Sequence, residues 1–211
     1  MRGENSIRGR GGRAGSQGVT LIELMVAIIV LGFILILAVP SFMDFRQRSA
    51  LAGAADQIQS FWAEARFEAL KRNRLVKVGF HSSGDNFCVG AATTDDPGDD
   101  AACNCLQANA CDVALFPAEQ DAWQGVRTAS ATPTTLGGAA GASGAVVIDP
   151  KRANLTEAAD AGVIELRSPA GPGGEYRLSV AIDRNGRAYV CEPADAPRSI
   201  PKYASRKCAA P

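Results

Sequence analysis

The sequence predicts an α+β protein: one long N-terminal α-helix, its first half transmembrane, packed on an antiparallel β-sheet and stapled by disulfides. Three observations carry this expectation. A run of 21 residues from Val19 to Val39, VTLIELMVAIIVLGFILILAV, is interrupted only by Thr20 and Glu23. Apolar residues at three- and four-residue steps follow it, and short strand-forming segments follow those. All six cysteines lie beyond the apolar run.

At about 1.5 Å of rise per residue, a helix over the apolar run reaches about 30 Å, the thickness of a bilayer's hydrocarbon core. Ahead of it, residues 1–18 carry Arg2, Arg8, Arg10 and Arg13 against Glu4. Arginine beside a spanning segment stays cytoplasmic. The predicted topology is therefore a single pass through the cell inner membrane, with the N-terminus in the cytoplasm and everything after Val39 in the periplasm. An ordinary secretory signal has an apolar region of about 7 to 15 residues and a small-x-small cut site. The run here is longer and ends in Ala38-Val39-Pro40, without that site. Glu23 stands out, because a carboxylate inside an apolar helix costs about 2 to 3 kcal/mol at mid-membrane and calls for a cationic partner.

Pro40 removes one helical hydrogen bond and is expected to bend the helix there. Beyond it, residues 40–74 read as an amphipathic continuation, with Leu51, Ala54, Ala55, Ile58, Phe61, Trp62, Ala65 and Ala69 on one core-facing stripe. The helix is expected to run to about Asn73. Glu68 and Arg72 are spaced to pair at its end, where Lys71 and Arg72 also suit the helix dipole.

Residues 75–211 read as a β-rich domain. Strand signals fall at Leu75 to Phe80, Ala145 to Ile148, Gly162 to Leu166, Arg177 to Ile182 and Arg187 to Val190. Asn185-Gly186 marks a tight turn between the last two. Residues 81–122 form an acidic, cysteine-containing insertion with eight acids and neither Lys nor Arg, and TTDDPGDD within it reads as a solvated loop. Asp95 to Asp100 lacks the closing Glu of a calcium-binding loop. Thr132 to Ala145 reads as a second, flexible loop.

In an oxidising compartment Cys88, Cys103, Cys105, Cys111, Cys191 and Cys208 are expected to be disulfide-bonded. A Cys191–Cys208 bridge would staple the C-terminal segment, contributing about 3 kcal/mol in the loop-entropy view. The other four then make two bridges. Cys103 and Cys105 take different partners, because pairing at i, i+2 is strained. One C-x-C pair with the lone His81 is a poor zinc quartet.

Composition argues against catalysis. The formal net charge is zero, with 21% charged residues and a single His. No nucleophile–base pair, phosphate-cradling loop or metal quartet is present, so no cofactor, metal or enzymatic activity is expected. A zero net charge also excludes a generally basic nucleic-acid binder. The local asymmetry lies at the C-terminus, where Arg177, Arg184, Arg187, Arg198, Lys202, Arg206 and Lys207 outnumber three acids.

The residues Gly18-Val19-Thr20-Leu21-Ile22-Glu23-Leu24-Met25-Val26-Ala27 closely resemble the class III signal of type IV pilins and type II secretion pseudopilins. AEARFEALKRNRLVKVGF, from Ala63 to Phe80, resembles the GspH/FimT branch of that superfamily, as do Trp123-Gln124-Gly125-Val126 and VVIDPKR. The resemblance implies a type IV pilin-like fold. It also implies a prepilin peptidase that removes residues 1–18 after Gly18 and methylates the new N-terminus at Val19, where the family usually has Phe. Glu23 then neutralises the amino terminus of a neighbouring subunit, and the N-terminal helix joins other pilins or pseudopilins in a filament. FimT-type minor pilins are associated with DNA capture through a C-terminal Gly-Arg-x-Arg motif, against which this chain has Gly186-Arg187-Ala188-Tyr189. Double-stranded DNA is accordingly an implied partner, with Arg184, Arg187, Tyr189, Arg198, Lys202, Arg206 and Lys207 as the candidate contacts. The expected function is a minor pilin of a type IV pilus. The alternative is a pseudopilin of the type II protein secretion system.

Overall fold

A computed structural model describes residues 19–83, 86–99, 101–107, 109–116, 126–128, 143–157, 162–170 and 173–208, without the side chains of 36–40, 82, 83, 86, 127, 128 and 143. The chain divides into two compact units, residues 1–42 and 43–211.

Helix α1 (Leu21–Arg72) begins two residues later than the apolar run does. Thr20 is its N-cap: the Thr20 hydroxyl accepts the Glu23 N–H at 3.3 Å, and the Thr20 carbonyl accepts the Leu24 N–H at 3.1 Å. With Glu23 three residues on, Thr20-Leu21-Ile22-Glu23 has the sequence of a capping box, a start signal that competes with continuing apolar character. The helix ends as expected, with Glu68 accepting from Lys71 at 2.9 Å and Arg72 at 2.8 Å. Asn73 then turns left-handed at φ 50°. Pro40 and the bend expected at it lie outside the residues whose side chains are described. Among the described residues no helix carries an apolar stretch long enough to cross a membrane. The four residues that complete the run, 36–39, are described as helix backbone alone.

The domain after Met43 holds two antiparallel four-stranded sheets rather than the single sheet expected. One contains β1 (Leu75–Ser83), β2 (Asn86–Thr94), β3 (Ala114–Phe116) and β5 (Ser143–Ile148), in the order β3-β2-β1-β5. The other contains β4 (Arg127–Thr128), β6 (Gly162–Arg167), β7 (Arg177–Ile182) and β8 (Ala188–Cys191), in the order β4-β6-β7-β8. Both sheets send alternate residues into one core: Val76, Val78 and Phe80 from β1, Val89 and Ala91 from β2, Ile164 and Leu166 from β6, Leu178 and Val180 from β7. All eight residues of the helical stripe are buried in the same cluster.

The acidic insertion needs the largest correction. Its residues 86–94 are a central strand, paired along their whole length with β1. NFCVGAATT escaped the strand reading because small residues and an interior Gly suggest a loop. The structure gives those small residues a reason. Gly79 and Gly90 face each other across the β1–β2 ladder. A Cβ on Gly79 would lie 2.6 Å from the Ala102 Cβ, and one on Gly90 would strike the Cys111 and Cys103 sulfurs. The cysteine-bearing segment therefore lies flat on the outer face of the sheet, in space that only glycines leave. Cys88–Cys105 fastens it to β2, and Cys103–Cys111 cross-links the segment to itself.

Gly79→Ala is expected to lower stability by about 1 to 3 kcal/mol through this overlap. The same change at Gly98, where nothing but a 3.6 Å contact to Asp96 is met, should shift it by less than about 0.5 kcal/mol. Urea unfolding of the two variants checks the contrast.

Candidate functional site

The first candidate region is the start of α1. Gly18 lies outside the described residues. Val19 precedes the helix and is exposed, and Glu23 projects from its first turn, also exposed. Glu23 thereby places a carboxylate beside the positive end of the helix. Glu23 makes no ion pair among the described residues. From Leu21 to Leu35 the apolar side chains are largely uncovered, Leu21 at 78% and Phe33 at 67% exposure among them. Glu23 is the one charged side chain in that stretch. Exposed contiguous apolar surface on this scale marks a partner or a lipid environment.

The second region is the cationic C-terminus, where the structure separates residues that the sequence placed together. Three carboxylates hold residues 193–208 as a strap, each accepting from one strap cation and one hydroxyl, with Asp44 also paired to Arg48 at 3.4 Å. Asp44 of α1 accepts from Arg198 at 2.5 Å and from the Tyr176 hydroxyl at 2.9 and 3.0 Å, while the Arg198 guanidinium stacks 4.3 Å from the Tyr176 ring centre. Asp56, three helical turns on, accepts from Lys202 and the Tyr203 hydroxyl, both at 2.6 Å. Glu192, with 0% exposure, accepts from Lys207, from Ser199 at 2.9 Å and from the Ile200 N–H at 2.8 Å. Cys191–Cys208 closes the strap at its base. Arg198, Lys202 and Lys207 are thus ion-paired within the domain, Arg198 sharing its carboxylate with Arg48.

Arg184, Arg187 and Arg206 are exposed and make no ion pair among the described residues; Tyr189 is 40% exposed. Sequence reasoning missed the three anchoring acids. Asp44 and Asp56 lie more than a hundred residues before their partners, so no local spacing links them. Among the described residues no group of three or more His, Cys, Asp or Glu side chains is placed to hold a metal ion.

These contacts shift the carboxyls. Hydrogen bonds from Arg198 and then Tyr176 hold Asp44 below its ordinary value. Burial works to raise Asp56 and Glu192. For Asp56 the bonds from Lys202 and Tyr203 more than offset it, and for Glu192 those from Lys207, Ile200 and Ser199 do, so both are lowered.

A half-uncovered helix with an acid in its first turn, and a disulfide-stapled α+β domain built around the same helix's later residues, define the pilin class of filament subunit. The chain belongs to the GspH family: the family model described as type II transport protein GspH matches residues 54–186. A second, the prokaryotic N-terminal methylation motif, matches residues 13–39. Comparison with curated proteins and with solved structures gives no match.

Because the three folded-state carboxyls are depressed, their contacts contribute stability that is complete above about pH 5 and lost as the pH falls through the acidic range where they take up protons. The urea midpoint should therefore be lower at pH 3 than at pH 6, and Asp56→Asn should flatten that dependence. Glu192→Ala, which strands a lysine and a buried N–H, is expected to cost about 2 to 4 kcal/mol at pH 7 by the same measurement.

Proposed function

We propose that this chain is a minor subunit of a type IV pilin-like filament, anchored in the inner membrane before assembly by the apolar part of α1. The observation that carries the reading is the uncovered apolar helix from Leu21 to Leu35 with Glu23 as its one charge. In lipid that surface is satisfied by acyl chains, and in a filament by like helices, so transfer between the two costs little. Glu23 supplies the directional element. A prepilin peptidase cutting between Gly18 and Val19 exposes an amine, and a carboxylate in a low-dielectric bundle seeks such a cation. The pairing of Glu23 with a neighbour's first nitrogen sets axial register.

The filament we favour is a type IV pilus, with DNA uptake among its outcomes, on the strength of the exposed Arg184, Arg187 and Tyr189. The second reading is the pseudopilus of a type II secretion system. The description of the matching family supports it, as does the internal neutralisation of Arg198, Lys202 and Lys207.

Glu23→Ala should leave the amount of membrane-inserted, processed protein unchanged while reducing its share in sheared filaments at least about tenfold, scored by immunoblot of both fractions. Equal incorporation would refute the pairing role. Gly18→Leu should accumulate precursor that retains residues 1–18, as read by mass spectrometry. A deletion strain scored for surface pili, transformation and exoprotein secretion separates the two machines: loss of the first two with secretion intact supports the pilus, and the reverse supports the secretion system.

A further inference from the structure

The stretch of α1 that enters the domain carries exposed apolar side chains and an exposed cation within four residues. Met43, Phe45 and Arg46 all face solvent, Phe45 at 57% exposure. Asp44 and Arg48 lie on the side of the helix that meets the strap and are half-buried. Between Val39 and Asp56 the sequence holds one acid, Asp44, and two cations, Arg46 and Arg48.

Those charges do not cancel. Arg46 forms no ion pair among the described residues. Arg198 takes one oxygen of Asp44 at 2.5 Å, and the Tyr176 hydroxyl donates to the other at 2.9 Å. Arg48 reaches back one helical turn to that second oxygen, but its Nε stays 3.4 Å away, is buried and makes no hydrogen bond. One carboxylate facing two guanidiniums leaves a positive charge in excess. The Arg48 side chain remains 31% exposed, so part of its five-donor fork stays open. Asp56, the next acid along the helix, is committed to Lys202 and Tyr203.

Position along the chain gives this cationic patch its meaning. Arg46 is seven residues after Val39, where the apolar run ends. At about 1.5 Å per helical residue it lies no more than about 10 Å past that end, whatever the direction of the helix. The polar layer on each side of a bilayer is about 5 to 7 Å thick. Helical side chains tilt toward the N-terminus, and a long arginine stem lets the guanidinium lean further back, so its charge falls within that layer.

We infer that Arg46 and Arg48 bind the phosphate headgroup of an anionic phospholipid, with Met43 and Phe45 entering the acyl boundary beside it. The inference rests on the reading of the apolar run as a lipid anchor and adds a specific headgroup site to it. A guanidinium fork matches two phosphate oxygens at once. A free phosphate ion has no use for the exposed Phe45 and Met43, whereas a lipid fills both kinds of surface and continues the uncovered apolar side chains from Leu21 to Leu35. The site fixes the depth at which the domain waits at the membrane before assembly.

The test is native mass spectrometry of the processed full-length chain, released from nonionic-detergent micelles containing phosphatidylglycerol and phosphatidylcholine at equal mole fraction. Wild type should retain phosphatidylglycerol preferentially. A cation near an anionic surface is worth about fivefold in affinity. Arg46→Gln should therefore lower the preference about fivefold, Arg46→Gln with Arg48→Gln at least tenfold, and Arg46→Lys should keep most of it. Arg187→Gln, an exposed cation of the β7–β8 turn, should leave it within error, and all unfolding midpoints should match wild type. Equal retention of the two lipids by wild type, or an equal loss in Arg187→Gln, overturns the headgroup site. A preference that the double variant keeps while its share in sheared filaments falls assigns the two arginines to a neighbouring subunit and overturns the lipid. In each case processed wild-type protein in the membrane fraction leaves the anchor reading standing, and its absence from that fraction overturns both.

Discussion

One helix face has to be buried twice over for this molecule to exist. The stripe from Leu51 to Ala69 packs into a core shared by both sheets, and four of its eight positions are alanines, which let strands approach the helix closely around the larger Ile58, Phe61 and Trp62. Polar side chains flanking the stripe reinforce the attachment through Asp44, Asp56, Gln59, Trp62 and Arg66, every one bonded to a residue distant in sequence. The domain is thereby fixed to the later part of α1 by apolar area and held in rotation by hydrogen bonds. The earlier apolar part is left without any such partner of its own. That asymmetry, satisfied after Met43 and unsatisfied before Leu35, is what makes the chain a building block rather than a finished protein.

The C-terminal strap shows how a locally cationic sequence can be electrostatically quiet. Its Arg198, Lys202 and Lys207 are drawn to acids of the helix and to the buried Glu192, each carboxylate receiving a hydroxyl or N–H as well. An ionised group with no exposure is tolerable only when its lone pairs are filled, and Glu192 meets that condition. Cations elsewhere inherit the surface potential by default. The turns at residues 149–155 and 183–187, bonded to Arg66 and Trp62, keep theirs because their own aspartates are spent on backbone N–H groups.

On the opposite side of the fold, disulfides replace apolar packing. The segment over Gly79 and Gly90 is rich in small and acidic residues and could not hold itself down by burial alone. Two bridges substitute for the missing core, and the strands beneath give up their side chains to make room. Exposed acids at its rim then serve neighbours such as Thr93, whose N–H and hydroxyl are both received by Asp112.

Whatever depends on local order was legible in the chain itself. The 3.6-residue stripe named every helix residue that enters the core, and Glu68, Lys71 and Arg72 closed the helix where their spacing indicated. β1, β6 and β7 announced themselves by β-branched alternation, and Asn185-Gly186 by its tolerance of a left-handed backbone. The α+β class and the family followed from those patterns together with the N-terminal motif. Tertiary structure alone decided the rest. It made a strand of Asn86–Thr94, split one expected sheet into two, and chose Cys105 rather than Cys103 as the partner of Cys88. It also paired Arg198, Lys202 and Lys207 with acids distant in sequence or buried in the domain, and brought the turn that carries Lys151 and Arg152 against the one that carries Arg184 and Arg187. Each of these outcomes turns on which distant groups the fold brings within a few ångströms, and a charge or a small side chain has no meaning for binding or packing until that neighbour is known.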